Sequence, residues 1–235
     1  MTVSRETVAT LAAVHGLGPG SVCALHALLY ALSAEEDPPT TVRKPEEALD
    51  RHLADSLSGL GIEALATASR IADVGAGAGF PGLAMAAALP GSAVDLIEAT
   101  ARKCAVIGRI GGAAGLPNFR AVAARAEEWA TGEGAIAYEA VTARAVAPLG
   151  VLVEYSAPLL RETGVLVAWK GRRDDEEERV ATRAAGIVGL EPVEVRRVVP
   201  FAGARDRHLH VFAKVARTPD RFPRRAGMAR KRPLG

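Results

Sequence analysis

At 235 residues, 49% hydrophobic and 24% charged, the chain is long enough for one large domain with an extension and apolar enough to bury a sizeable core. No apolar run reaches membrane-spanning length and no signal peptide opens the chain, which sets the expectation of a cytoplasmic protein with no membrane partner. The net charge of +2 hides a polarity: the last nineteen residues, from Arg217, carry seven Lys/Arg and one Asp, so the rest of the chain is net acidic.

Residues 4 to 34 read as two helices. Val8, Leu11, Ala12 and His15 share one face of the first, and Leu25, Leu28, Leu29 and Leu32 make the second apolar. Gly16 to Gly20 separates them. His15 and His26 have no partner cluster and read as surface or interhelical residues. Cys23 and Cys104 offer neither metal spacing nor a disulfide framework, which fits a reducing compartment. After a loop with Pro38 and Pro39, a third helix is expected from Pro45 to about Leu60. Arg51, His52, Asp55 and Ser56 share its flank, opposite the stripe of Leu49, Leu53 and Leu57. The plainer reading is a capped amphipathic helix; the sharper one is that His52 and Asp55 line a ligand mouth.

From Arg70 strands and helices alternate. Strands are expected at 71–74, 94–97, 120–123, 140–143 and 165–169, each followed by a helical stretch, and two more at 193–199 and 209–215. Such alternation means a doubly wound, Rossmann-like α/β sheet. Seven strands are expected, mostly parallel, with the last two as an antiparallel edge hairpin. The division is a helical extension over 1–66, the α/β domain over 67–216, and a basic tail over 217–235. Ligands of such sheets bind beyond the carboxyl ends of the strands.

The first strand ends in Asp73-Val-Gly75-Ala-Gly77-Ala-Gly79-Phe80-Pro81-Gly82. Glycines here let a ligand lie against bare main chain, and Pro81 suits a helix start. Gly77, Gly79 and Gly82 match the spacing of the dinucleotide fingerprint. Counted from the strand end, however, the spacing is D-x-G-x-G-x-G. Asp73, inside a buried strand, calls for a partner such as an ammonium group, and Glu98, at the end of the second strand, is placed to take two ribose hydroxyls. S-adenosylmethionine carries both features, so a methyltransferase is favoured over a nicotinamide dehydrogenase. Other strand-end candidates are Ala99 and Thr100, then Ala126 and Glu127 toward an adenine edge, then Arg144 and Lys170. Arg144 needs a partner. A cofactor carboxylate, a phosphate, a base oxygen and a structural carboxylate all stay open. Trp129 reads as core and Glu176 to Glu178 as a solvated helix face.

These pieces resemble a known family, the bacterial small-subunit ribosomal RNA guanine-N7 methyltransferases, also called glucose-inhibited division protein B. The carriers are RHLADSL (Arg51 to Leu57), DVGAGAGFPG (Asp73 to Gly82), RAE (Arg125 to Glu127), TARAVAPL (Thr142 to Leu149), AWKG (Ala168 to Gly171), DRHL (Asp206 to Leu209) and FPRRAGMARKRPL (Phe222 to Leu234). The stretch Asp37 to Val42 departs from the family pattern, lacking its Asn-Leu pair and its aromatics. The resemblance implies S-adenosylmethionine contacts at Gly75, Phe80, Glu98 to Thr100, Ala126, Glu127 and Arg144. It implies a target guanine in the 530 loop of 16S rRNA, free or in a small-subunit precursor. A monomer with no DNA partner is expected. Guanine N7 has a free lone pair and no proton, so no general base is required. Around the mouth, His52, Lys170 and Arg207 are the RNA candidates. Arg230, Lys231 and Arg232 extend them along a tail whose prolines and Gly227 argue against a regular helix, and which is expected to lie outside the cofactor site.

Overall fold

The chain, described from residue 3 to residue 235 by a computed structural model, is organised around β1, Arg70–Val74. Ile71, Ala72 and Asp73 have no exposed surface, as expected of the central strand of a sheet covered on both faces. β2 (Ala93–Glu98) and β3 (Phe119–Ala123) lie on one side of it, and β4 (Tyr138–Arg144) and β5 (Leu160–Lys170) on the other, all parallel. β7 (His208–Lys214) runs antiparallel between β5 and β6 (Leu190–Arg197), giving the order β3-β2-β1-β4-β5-β7-β6. The seven strands and the antiparallel edge pair are as expected from sequence. β6 starts three residues earlier than expected. It tolerates Pro192 because it is an edge strand whose register shifts there.

Two apolar clusters sandwich the sheet. On one face Leu25, Leu28, Leu29 and Leu32 of the helix Pro19–Ala34 join Leu83 and Met85 of Gly82–Ala88 and Ile107 of Ala101–Ala113. The N-terminal helices therefore share the main core. On the other face the helix Leu149–Ser156 packs against Asp175–Val188. Asp174 caps that second helix by accepting from the amides of Glu176 and Glu177, and Gly189, at φ +81°, ends it.

The third helix departs from its expected regularity. Pro45–Ala48 is α-helical, Leu49–Ala54 is a π-helical turn, Asp55–Leu57 is α-helical and Ser58–Gly61 is 3₁₀. A π turn inserts one extra residue and redirects the side chains that follow. Here it carries Arg51 and His52, with Asp55 directly after. The Trp169 indole donates to the Asp55 carbonyl at 2.8 Å and fastens this turn to the end of β5. No helix among the described residues is long and apolar enough to cross a membrane.

Candidate active site

A cavity of about 870 Å³ opens beyond the carboxyl ends of β1, β2, β4 and β5, the place where doubly wound sheets hold their ligands. Its floor is the glycine loop. Gly75 and Ala76 donate to the Ile97 carbonyl at 2.8 and 3.2 Å, which ties the loop to β2. Gly75 has φ +70°, and a Cβ there would stand 2.6 Å from Val146. Gly77, at φ +58°, would meet nothing but the Gly75 carbonyl 3.9 Å away, so its bare backbone faces open space in the cavity.

Asp73 does not reach the cavity, contrary to the expectation of a ligand ammonium as its partner. It is fully buried beneath the loop. Its Oδ2 accepts from the Gly82 amide and its Oδ1 from the Thr142 hydroxyl, both at 2.9 Å. It thereby fastens the next helix and β4 to β1. Burial pushes its carboxyl up to about 6, against the opposing pull of these two hydrogen bonds and of Arg144. Gly79 is likewise outside the lining, at φ +97° and packed on Leu83. Pro81 caps the helix instead of opening it, after a cis Phe80–Pro81 bond.

Glu98 does line the cavity, although it is 7% exposed. Its Oε2 accepts from the Gly77 amide at 3.1 Å and its Oε1 from the Thr100 amide at 2.9 Å. Each oxygen keeps a second lone pair, so the carboxylate is rigid and still able to accept twice more. Ala99, Thr100, Ala126 and Glu127 complete this side. Glu127 Oε1 is already engaged by the Gly227 amide at 2.7 Å.

The opposite wall is built from charges. Arg144 donates to Asp55 Oδ2 at 2.8 Å and to the Arg51 carbonyl at 3.2 Å, and its other nitrogen lies 3.2 Å from His52 Nδ1. Of the partners left open for Arg144, the structure supplies a carboxylate of the protein itself, at the cavity wall. Arginine can only donate, so His52 Nδ1 accepts and Nε2 carries the proton toward the Thr40 hydroxyl at 3.2 Å. The imidazole stacks on Phe80, centroids 4.7 Å apart. Burial first, then the Arg144 and Arg51 charges, pulls its pKa down to about 4, so it is neutral near pH 7. Arg207 Nε lies 3.5 Å from the second Asp55 oxygen. Lys170 lines the mouth with its ammonium 2.6 Å from Glu177. Glu177 and Glu178 therefore do not form the solvated face expected of them: Glu177 also accepts from the Leu149 amide, and Glu178 pairs with Arg173. Trp129 lies away from the cavity, bonded to Tyr138.

The tail departs most from expectation. It packs back on the body, with Phe222 and Ala229 buried and one helical turn at Met228–Lys231. Arg230 reaches the cavity and donates to the Val146 carbonyl at 2.8 Å. Lys231 and Arg232 are exposed outside it. Sequence reasoning missed Thr40, Val146 and Tyr155 as lining residues, none of which stands in a motif with the residues it meets. Among the described residues no group of acidic, His and Cys side chains is placed to hold a metal.

The family described as rRNA small subunit methyltransferase G matches residues 37–210. The chain belongs to this family. It is 41% identical to the ribosomal RNA small subunit methyltransferase G of Rubrobacter xylanophilus, over 82% of this chain and 75% of that protein. With the corresponding methyltransferase G of Chloroflexus aggregans identity is 39%, over 83% and 82% of the two chains. The fold is shared more widely. A Burkholderia thailandensis 1,6-didemethyltoxoflavin-N1-methyltransferase, solved with S-adenosylhomocysteine, superposes with TM-score 0.52 at 14% identity, over 73% of this chain and 82% of that one. A 16S rRNA adenine methyltransferase of Catenulisporales acidiphilia also gives 0.52, at 17% identity, over 67% and 90%. Within the methyltransferase G family, the matched region takes in the glycine loop, Glu98, Glu127, the π turn and Arg144.

Proposed function

We propose that the chain transfers a methyl group from S-adenosylmethionine to N7 of a guanine in the 530 loop of 16S rRNA. Free rRNA or a small-subunit precursor is the partner, and the protein acts as a cytoplasmic monomer with no membrane or DNA partner. The observation that carries this reading is one cavity with two unlike walls, in a chain of the methyltransferase G family. One wall is bare backbone plus a fixed acid; the other is cationic and aromatic.

The residues present fit the cofactor. Gly77 leaves space where a side chain would stand, and Glu98 holds two free acceptor positions for a pair of ribose hydroxyls. Ala126 and Glu127 supply the edge for an adenine. When bound, the sulfonium supplies an electrophilic methyl group. The cavity, near the upper end of the roughly 300–1,000 Å³ typical of small-molecule clefts, has room for a target base beside it.

What the chain must do for N7 is align and desolvate. N7 has no proton, and neutral His52 is neither needed nor poised as a base at pH 7. His52 and Phe80 form a stacked apolar plate, and Arg144 is held against it through Asp55. Arg144, Arg207 and Lys170 place positive charge where RNA enters. The N7 edge is hidden in an A-form major groove, so the guanine is presented from a loop.

The test is transfer of labelled methyl from S-adenosylmethionine to small-subunit particles and naked 16S rRNA lacking the modification, followed by nucleoside analysis. Labelled 7-methylguanosine in the 530-loop fragment is expected. Label in another nucleoside, or none in either substrate, overturns the reading.

A further inference from the structure

We infer that the C-terminal turn is a wall of the cofactor site, with Arg230 as the positioning residue that holds the loop after β4 over the glycine floor. This rests on the S-adenosylmethionine site proposed above. It gives the tail a task distinct from contact with RNA.

The tail is anchored before it reaches the cavity. Phe222 and Ala229 are buried in the cluster around the helix Leu149–Ser156. Arg224 forks onto both oxygens of Glu154 at 2.6 and 2.5 Å, and Glu154 is 3% exposed. Such a bidentate pair fixes both position and orientation. The same guanidinium donates to the Arg232 carbonyl at 2.9 Å and closes the turn on itself.

From that anchor two contacts enter the site. The Gly227 amide, presented at φ +82°, donates to Glu127 Oε1 and fixes the acid on the adenine side. Arg230 donates to the Val146 carbonyl. Val146 is the residue whose side chain covers Gly75 so closely that no Cβ fits between them. The residue before it, Ala145, is held at φ +56°. An alanine stays in that left-handed region only where surrounding contacts over-determine it. Arg144, one residue earlier, is fixed by Asp55. The loop is thus pinned on one side of Ala145 by the π turn and on the other by the tail.

Released from Arg230, Ala145 can relax, Val146 can leave Gly75, and the cofactor floor loses its cover. The effect falls on cofactor affinity with no RNA present. Lys231 and Arg232 sit at the end of the same turn, are exposed and do not line the cavity, and serve as the contrast.

The experiment is calorimetric titration of S-adenosylhomocysteine into the full chain without RNA. It compares wild type, Arg230→Ala, Arg230→Lys and the pair Lys231→Ala with Arg232→Ala, each checked for folding by thermal melting. Arg230→Ala is expected to raise Kd about tenfold. Arg230→Lys, which still reaches a carbonyl with one donor, should stay within about threefold of wild type, and the pair should bind as wild type does. If Arg230→Ala binds like wild type, Arg230 does not hold the cover of the cofactor floor and the inference is overturned, while the proposed function stands. If wild type itself fails to bind S-adenosylhomocysteine, both fall. Equal weakening by the Lys231 and Arg232 pair would also overturn it, because the effect would then be one of general charge.

Discussion

The two walls of the cavity are built by opposite means. On the glycine side most parts come from one short span of chain, Gly75 to Thr100, and the bonds run from backbone amides to the Ile97 carbonyl and to the Glu98 carboxylate. On the other side Arg144 meets Asp55, 89 residues away, and Arg230 meets Val146, 84 residues away. The first wall is rigid because its backbone is already hydrogen-bonded to β2. The second depends on each charge keeping its partner. Damage should therefore spread differently from the two sides.

The largest expected effect comes from removing the charge that organises the second wall. Asp55→Ala leaves Arg144, mostly buried, without its carboxylate, and breaking a buried pair from one side costs on the order of 3–5 kcal/mol. Urea unfolding should show that loss. Glu98→Ala on the first wall should cost far less stability, because the two amides it releases lie at the cavity and can turn to water. Equal costs for the two variants would erase the contrast between the walls.

The second wall and the strand buried beneath the first carry opposite responses to acid. His52 has a folded pKa of about 4 against 6.5, so its contribution is complete above pH 6.5 and is lost as pH falls toward 4. Asp73 has a folded pKa of about 6 against 3.8, so the folded state takes up its proton first. Its contribution is lost as pH rises through 6 and is complete below 3.8. Each swing is on the order of 3 kcal/mol, and they run against each other between pH 6 and 4. The wild type should therefore show little slope from this pair. Asp73→Asn, whose amide can still serve the Gly82 amide and the Thr142 hydroxyl, should lose stability as pH falls through that window. His52→Asn should gain it. Denaturant midpoints at half-unit pH steps measure both, and parallel curves for the two variants would refute the opposition.

The difference in construction also decides what could be read from sequence. The glycine floor and Glu98 are legible because a strand end is adjacent in sequence to the loop it feeds. Asp73 was legible as unusual but not in its use. A buried acid has the same one-letter signature whether it meets a ligand or the amide of Gly82. The π turn escaped because 3.6-residue periodicity carries no mark for one inserted residue, and Asp55 takes its meaning from Arg144. The tail was misjudged for a related reason. A run of basic residues reads as free charge, yet Arg224 is spent on Glu154, an acid on a buried helix that no local pattern links to it.

On the first wall, Glu98→Gln tests the cofactor contact itself. One oxygen becomes an NH₂ group that must face either the Gly77 or the Thr100 amide, donor against donor, while the fold is kept. S-adenosylhomocysteine binding should weaken by on the order of 1–3 kcal/mol in calorimetry. Unchanged affinity would remove Glu98 from the site and leave the first wall as bare backbone alone.

The smallest effect is expected outside both walls, on the exposed part of the tail. Lys231 and Arg232 have no acidic partner among the described residues and face solvent, whereas Arg230 belongs to the cavity. The body is net acidic, so RNA must be met by local basic groups. Each phosphate neutralised by such a group adds about 0.7 to 0.9 to the salt slope of binding. Changing Lys231 and Arg232 to Ala removes at most two such contacts. The slope of log affinity against log salt should then fall by roughly 1.4 to 1.8, with a modest loss of RNA affinity at low salt. At high salt the curves of variant and wild type should converge, because the screened contacts contribute little there. A salt titration of RNA binding, run beside the calorimetry, separates the two ends of one turn. If the salt curves overlap, these two cations do not touch RNA, and the RNA-facing charge must be sought nearer Arg207 and Lys170.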